Sequence, residues 1–84
     1  MSYRVSIVRS AQSEFASLPL SIRNRIEPRL LALAMEPRPH GSQKLRHTER
    51  YRIRIGDYRV IYAINDSERL LVILSIGHRR EIYR

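Results

Sequence analysis

Three arginines in a short segment are spaced to meet on one face of a β-hairpin: Arg52, Arg54 and Arg59. Apolar and basic residues alternate around them with period two, and Gly56-Asp57 suits a two-residue type II′ turn with glycine first. Such a turn places Arg54 opposite Arg59, where like charges repel each other. A bound anion such as a phosphate group removes that penalty, so the pattern predicts an anion-binding face. The alternative is the solvated outer face of a basic sheet.

The same turn predicts the register of the whole hairpin. The expected pairs are Ile55 with Tyr58, Arg54 with Arg59, Ile53 with Val60 and Arg52 with Ile61. The face opposite the arginines is then apolar and consists of Ile53, Ile55, Tyr58, Val60 and Tyr62. We expect that apolar face to be buried.

The charge of the chain also indicates an anionic partner. The 84 residues include 16 basic against 8 acidic side chains, a net charge of +8, and every basic residue except Lys44 is arginine. Residues 1–37 carry five basic and three acidic side chains, a net +2, whereas residues 38–84 carry eleven and five, a net +6. The charge is concentrated with the hairpin, which favours nucleic acid or an acidic protein as partner.

The composition predicts a cytoplasmic protein without a cofactor or a membrane partner. The chain has no cysteine, so neither disulfides nor thiolate metal sites are expected. Its three histidines have no metal-ligand spacing. The longest apolar run, residues 70–74, is far too short to span a bilayer, and the N-terminus has no signal-peptide pattern.

Two helices and four strands are expected to position the hairpin. Alternation around Val5 predicts a first strand, and Ser10 is the predicted N-cap of a short helix through Leu18. A second helix carries the apolar stripe Ile22, Ile26, Leu30 and Leu33. Pro28 lies inside this helix, so we expect a bend or break near residues 24–27. The remaining strands are predicted at residues 50–55, 58–64 and 70–76, after a loop at 36–42. The prediction is one α+β domain over residues 1–84, with two N-terminal helices packed on a small, mostly antiparallel four-stranded sheet.

The order of these elements resembles the RelE/ParE superfamily of bacterial toxin-antitoxin toxins along the whole chain. The matching segments are Glu36-Pro37-Arg38-Pro39 before Lys44-Leu45, Gly56-Asp57-Tyr58-Arg59-Val60-Ile61-Tyr62, and Gly77-His78-Arg79-Arg80-Glu81-Ile82-Tyr83. The resemblance implies a RelE-like fold and a neutralising antitoxin encoded beside the toxin, in a possible hetero-oligomer. It also implies one of two activities. RelE-like members cut mRNA in the ribosomal A site, whereas ParE-like members poison DNA gyrase without being enzymes.

RelE-like cleavage needs no metal, because the ribose 2′-hydroxyl attacks the adjacent phosphate and leaves a 2′,3′-cyclic phosphate. The site must align the RNA, neutralise the charge of the phosphorane and transfer protons. The resemblance implies these catalytic residues: Arg52, Arg54, Arg59, Arg79 and Tyr83. We expect the surrounding RNA-binding side chains to be Lys44, Arg46, Arg50, His78 and Arg80. The ribosome and mRNA are then the partners besides the antitoxin.

The resemblance leaves the general base open. RelE-like toxins commonly have lysine at the two strand positions where this chain has Arg52 and Arg54, and arginine stays protonated. Tyr83, His78 and His47 are the alternative bases, since a phenol beside cations or an imidazole can transfer a proton. Catalysis by charge alone is a further alternative.

Gyrase inhibition is the alternative function. Under it, Arg59 and Arg79 would pair with acidic side chains of the antitoxin, or with Asp66 and Glu81 of this chain. The primary prediction is a toxin that inhibits translation as a ribosome-dependent mRNA endoribonuclease.

Overall fold

A five-stranded sheet carries both helices against one of its faces. The computed structural model describes residues 2–78. In chain order its elements are β1 (Arg4–Ile7), α1 (Arg9–Ala16), α2 (Leu20–Ala32), β2 (Gln43–Lys44), β3 (Arg50–Ile55), β4 (Tyr58–Asn65) and β5 (Leu70–His78). The strand order is β1-β5-β4-β3-β2, with β1 parallel to β5 and all other neighbours antiparallel. The predicted α+β class is confirmed. The strand count was wrong, because Gln43 and Lys44 pair with β3 as a fifth strand.

The hydrophobic core lies between the helices and this sheet face. Its buried residues are Ala11, Ile26, Leu30 and Leu33 on the helix side, and Ile53, Ile55, Val60, Tyr62, Ile64, Leu71, Ile73 and Ile76 on the sheet side. The apolar hairpin face is therefore buried, as predicted. Since side chains alternate along a strand, the arginines lie on the opposite face of the sheet.

Pro28 does not break α2, contrary to the sequence-based expectation. The helix is continuous from Leu20 to Ala32. Pro28 is exposed, whereas Ile26 and Leu30 on the other side of the helix are buried against the sheet. Burying each of these two side chains contributes about 1.5–3 kcal/mol, which offsets the roughly 3 kcal/mol cost of an interior proline.

The first helix begins earlier than predicted. Its N-cap is Val8, not Ser10, and Val8 keeps an extended conformation with φ −64° and ψ 156°. The Val8 N–H donates to the Ile73 carbonyl oxygen at 3.1 Å. Pairing with β5 therefore continues to the last residue before the helix and decides where α1 starts. No helix within residues 2–78 is long and apolar enough to cross a membrane.

Candidate nucleic-acid interface

The β3–β4 hairpin has the predicted turn and register. Gly56 has a φ of +61°, and of the two loop residues only this one has a positive φ, as a type II′ turn requires. Arg54 is paired with Arg59, and Arg52 with Ile61. The predicted strand pairing of Arg54 with Arg59 is therefore confirmed.

Four arginines share the face opposite the core. Arg50, Arg52 and Arg54 alternate along β3, and Arg59 lies across from Arg54 on β4; we call these four the arginine row. Arg50 and Arg54 are exposed and Arg52 is half-buried, but Arg59 is only 6% exposed. The row is therefore not a uniformly solvated surface. A guanidinium stays charged at physiological pH, so Arg59 is a largely buried positive charge. Such preorganised charge is suited to stabilising a phosphate that gains negative charge.

Gln43 positions one member of the row. The two-residue strand β2 pairs Gln43 with Arg52, and Arg52 Nη2 donates a hydrogen bond to Gln43 Oε1. A side chain held in this way loses less conformational entropy when it binds a ligand. Sequence analysis missed Gln43, because a strand of two residues has no alternation pattern to detect.

Hydrogen bonds from Arg38 fix the loop that leads into β2. Arg38 Nη1 and Nη2 donate to the Asp66 carboxylate at 3.3 and 2.8 Å, and its Nε donates to the Tyr51 hydroxyl at 3.0 Å. The Tyr3 hydroxyl also donates to Asp66. The hydrogen bonds from Arg38 and Tyr3 lower the pKa of the Asp66 carboxyl. Asp66 is thus the partner of Arg38, and the pairing considered for Arg59 with Asp66 was wrong.

Tyr62 anchors the same loop from the core. Its fully buried ring stacks on Tyr51 with centroids 5.9 Å apart, and its hydroxyl donates to the Pro37 carbonyl oxygen at 2.7 Å. Burial raises the pKa of Tyr62 to about 12, so the hydroxyl remains a donor at neutral pH. Since Arg38 and Tyr62 fix residues 37–38, they also fix the path of the chain towards β2 and Gln43.

The structure separates the basic side chains predicted to surround the catalytic residues. Arg50 belongs to the arginine row. Lys44 is paired with Tyr51 on β3, and its Nζ lies 4.0 Å from Glu49 Oε1. Because Lys44 follows Gln43 on β2, it points to the other face of the sheet. Arg46 is exposed in the loop after β2.

The histidines considered as general bases do not lie on the arginine row. The His78 ring packs edge-on against Tyr58, with centroids 5.5 Å apart, and Tyr58 packs against the core. His47 is exposed in the β2–β3 loop with a φ of +61°. The other predicted site residues, Arg79, Arg80 and Tyr83, lie outside the described residues.

Fold and arginine row together define a small basic α+β protein whose hairpin presents fixed cations. The family model of the ParE toxin of the type II toxin-antitoxin system parDE matches residues 5–83. The chain belongs to the RelE/ParE superfamily of toxins from type II toxin-antitoxin systems.

Individual relatives place the chain near RelE proteins. It is 32% identical over 94 aligned positions to toxin RelG of Mycobacterium tuberculosis, which covers all of this chain and 99% of the relative. It is similar to a chain in the crystal structure of the archaeal RelE–RelB complex from Pyrococcus horikoshii, with a TM-score of 0.84, 35% identity and coverage of 94% and 97% of the two chains. The toxin-antitoxin complex RelBE2 of M. tuberculosis gives a TM-score of 0.84 at 28% identity, with coverage of 94% and 100%.

Proposed function

We propose that this toxin is a metal-independent mRNA endoribonuclease that acts on the ribosome and inhibits translation. The ribose 2′-oxygen forms a bond to the adjacent phosphorus, the bond from phosphorus to the 5′-oxygen breaks, and a 2′,3′-cyclic phosphate remains. The observation that supports this proposal is the buried Arg59 directly opposite Arg54. Like charges directly opposite each other across strands are unfavourable for stability, whereas positioned cations stabilise a phosphate that gains negative charge.

In this proposal, two arginines of the row stabilise negative charge and a third aligns the RNA. Arg54 and Arg59 contact the phosphate oxygens and stabilise the phosphorane more strongly than the ground state, which lowers the barrier. Arg52 is held by Gln43 and aligns the RNA backbone. No member of the row can accept the proton of the 2′-hydroxyl, because arginine stays protonated. We assign proton transfer to Tyr83, which the family resemblance includes among the catalytic residues.

We also propose a cognate antitoxin with an acidic surface that covers the arginine row. Two of the similar structures are complexes of RelE-type toxins with their antitoxins. Complementary charge would give fast association with a protein of net charge +8. An antitoxin on this face excludes mRNA and keeps the toxin inactive in a hetero-oligomer.

DNA gyrase inhibition remains the second candidate function. It is favoured by one specific observation, the match of residues 5–83 to the model of the ParE toxin. In that case the arginine row binds an acidic protein surface and no bond is cleaved.

Expression in a bacterial host separates the two functions. The chain is induced alone or together with the reading frame beside its gene, and incorporation of labelled amino acid and labelled thymidine is followed. We expect amino-acid incorporation to stop first and the neighbouring reading frame to restore growth. Harmless expression at a high level would reject the toxin's activity, and an early stop in thymidine incorporation would favour gyrase inhibition.

A further inference from the structure

A cavity of about 500 Å³ opens on the same sheet face as the arginine row. Its lining includes Ile61 and Ser75, which are paired across β4 and β5, together with Leu18 and Leu45. This volume is within the range of pockets that bind small molecules. Apolar and polar side chains both line the cavity, a composition suited to a heteroaromatic ring with a polar edge.

The strand register places the cavity next to the arginines. Its lining includes Arg50, the first member of the row, and Ile61, the strand partner of Arg52. Gly77, the strand partner of Arg59, also lines it. A group bound in the cavity is therefore a direct neighbour of a phosphate bound at Arg59, as a base is of the phosphate in the same RNA strand.

Glu14 of α1 supplies a fixed carboxylate to this cavity. Strand β1 pairs with β5 only as far as Ile73, and beyond it Glu14 Oε1 accepts a hydrogen bond from the Ile76 N–H at 2.9 Å. This bond orients the half-buried carboxylate. Within residues 2–78 no cation forms an ion pair with Glu14. An ionised carboxylate can accept about four hydrogen bonds, so most of its acceptor capacity remains for a ligand.

We propose that this cavity receives the unpaired base beside the cleaved phosphate and that Glu14 selects guanine. The inference rests on the proposed nuclease function. Apolar side chains cover the faces of a splayed-out base, and polar groups recognise its Watson–Crick edge. Guanine presents two adjacent donors there, N1–H and N2–H, which a carboxylate accepts together. Adenine and cytosine present one amino donor beside a ring-nitrogen acceptor, and uracil presents one N3–H between two carbonyl acceptors, so each offers a carboxylate one donor next to a repelling acceptor.

The test compares the wild-type toxin with Glu14→Gln on ribosomes programmed with messengers that differ in one nucleotide of the A-site codon. Glutamine keeps an oxygen for the Ile76 N–H but replaces an acceptor with an amide donor. We expect the wild type to prefer guanine at one codon position by about tenfold or more. Glu14→Gln should lose that preference while it cleaves the other messengers at similar rates. The control is Glu27→Gln, the same charge change at an exposed position of α2, which should keep the wild-type profile.

Other outcomes overturn the proposal in distinguishable ways. Cleavage with the same base profile in Glu14→Gln rejects the role of Glu14 and leaves the nuclease function standing. An unchanged profile together with weaker antitoxin binding assigns the cavity to a protein side chain instead. Intact messengers with the wild type reject the nuclease function and the base pocket together. If Glu14→Gln does not fold, Ser17→Trp at the exposed cavity rim is used, and retention of guanine preference by this variant also rejects the pocket.

Discussion

Replacing Arg54 with glutamine should change stability and activity in opposite directions. Arg54 is exposed and lies directly opposite Arg59, so its removal costs little packing and relieves a like-charge pair. Relief of such a cross-strand pair should raise the free energy of unfolding by about 0.2–1 kcal/mol. The same substitution removes one positioned charge from the phosphorane, which corresponds to about 2.7–4 kcal/mol in the barrier and a 10²–10³-fold slower cleavage step. Because Arg54 is exposed to solvent, we expect the lower end of this range.

Two measurements on the same preparation test this reasoning. Urea unfolding gives the free energy of unfolding, and single-turnover cleavage of ribosome-bound mRNA gives the rate of the chemical step. Arg29→Gln is the matched control, because it removes an exposed arginine from α2, which packs on the sheet face opposite the arginine row. This control should cleave at the wild-type rate. If Arg54→Gln loses both stability and activity, or cleaves as fast as Arg29→Gln, then the opposed pair of Arg54 and Arg59 does not stabilise the phosphorane as proposed.

Three further substitutions test whether Gln43 positions Arg52, whether Asp66 stabilises the fold, and whether Tyr83 transfers a proton. Gln43→Ala should slow cleavage by up to about tenfold in the single-turnover assay, because Arg52 must be ordered when RNA binds; Gln43→Glu keeps an acceptor but adds a negative charge beside the row, so it should not restore the full rate. Hydrogen bonds from Arg38 and Tyr3 lower the pKa of the Asp66 carboxyl in the folded protein. The ionised carboxylate therefore stabilises the fold at pH values above its ordinary pKa of about 4, and this stabilisation is lost as the pH falls through the lowered pKa. Asp66→Asn should therefore have a lower free energy of unfolding at neutral pH, and that free energy should fall less than in the wild type as the pH is lowered, as measured by urea unfolding at several pH values. Tyr83→Phe should be nearly as slow as Tyr83→Ala if the hydroxyl transfers a proton, and a rate close to wild type would leave only a stacking role.

The hairpin was predictable because its register depends on local information. Period-two alternation and the Gly56-Asp57 turn determine which side chains share a face, and these signals lie within twelve residues. The opposed arginines therefore followed from the sequence. That Arg59 is buried did not, since burial depends on elements that lie far from the hairpin in sequence.

Features that depend on long-range contacts were missed or wrong. The loop before strand β2 is held by a hydrogen bond from Arg38 to Asp66, 28 residues away, and β2 itself pairs with β3. The start of α1 depends on the bond between Val8 and Ile73, which overrode the local preference of Ser10. Glu14 and Gln43 carry no sequence motif, and only the packing of α1 and β2 shows where they lie.

The most direct test of the proposed function is the chemical nature of the mRNA ends after exposure to the toxin on ribosomes. Saturating wild-type protein is added to ribosomes programmed with a defined messenger, without divalent metal beyond that needed to keep the ribosome intact, and the fragments are analysed by mass. We predict a single cut in the A-site codon with a 2′,3′-cyclic phosphate on the upstream fragment and a 5′-hydroxyl on the downstream one. Intact messenger, together with gyrase-dependent DNA breaks from the same protein, would contradict the nuclease function and establish the alternative.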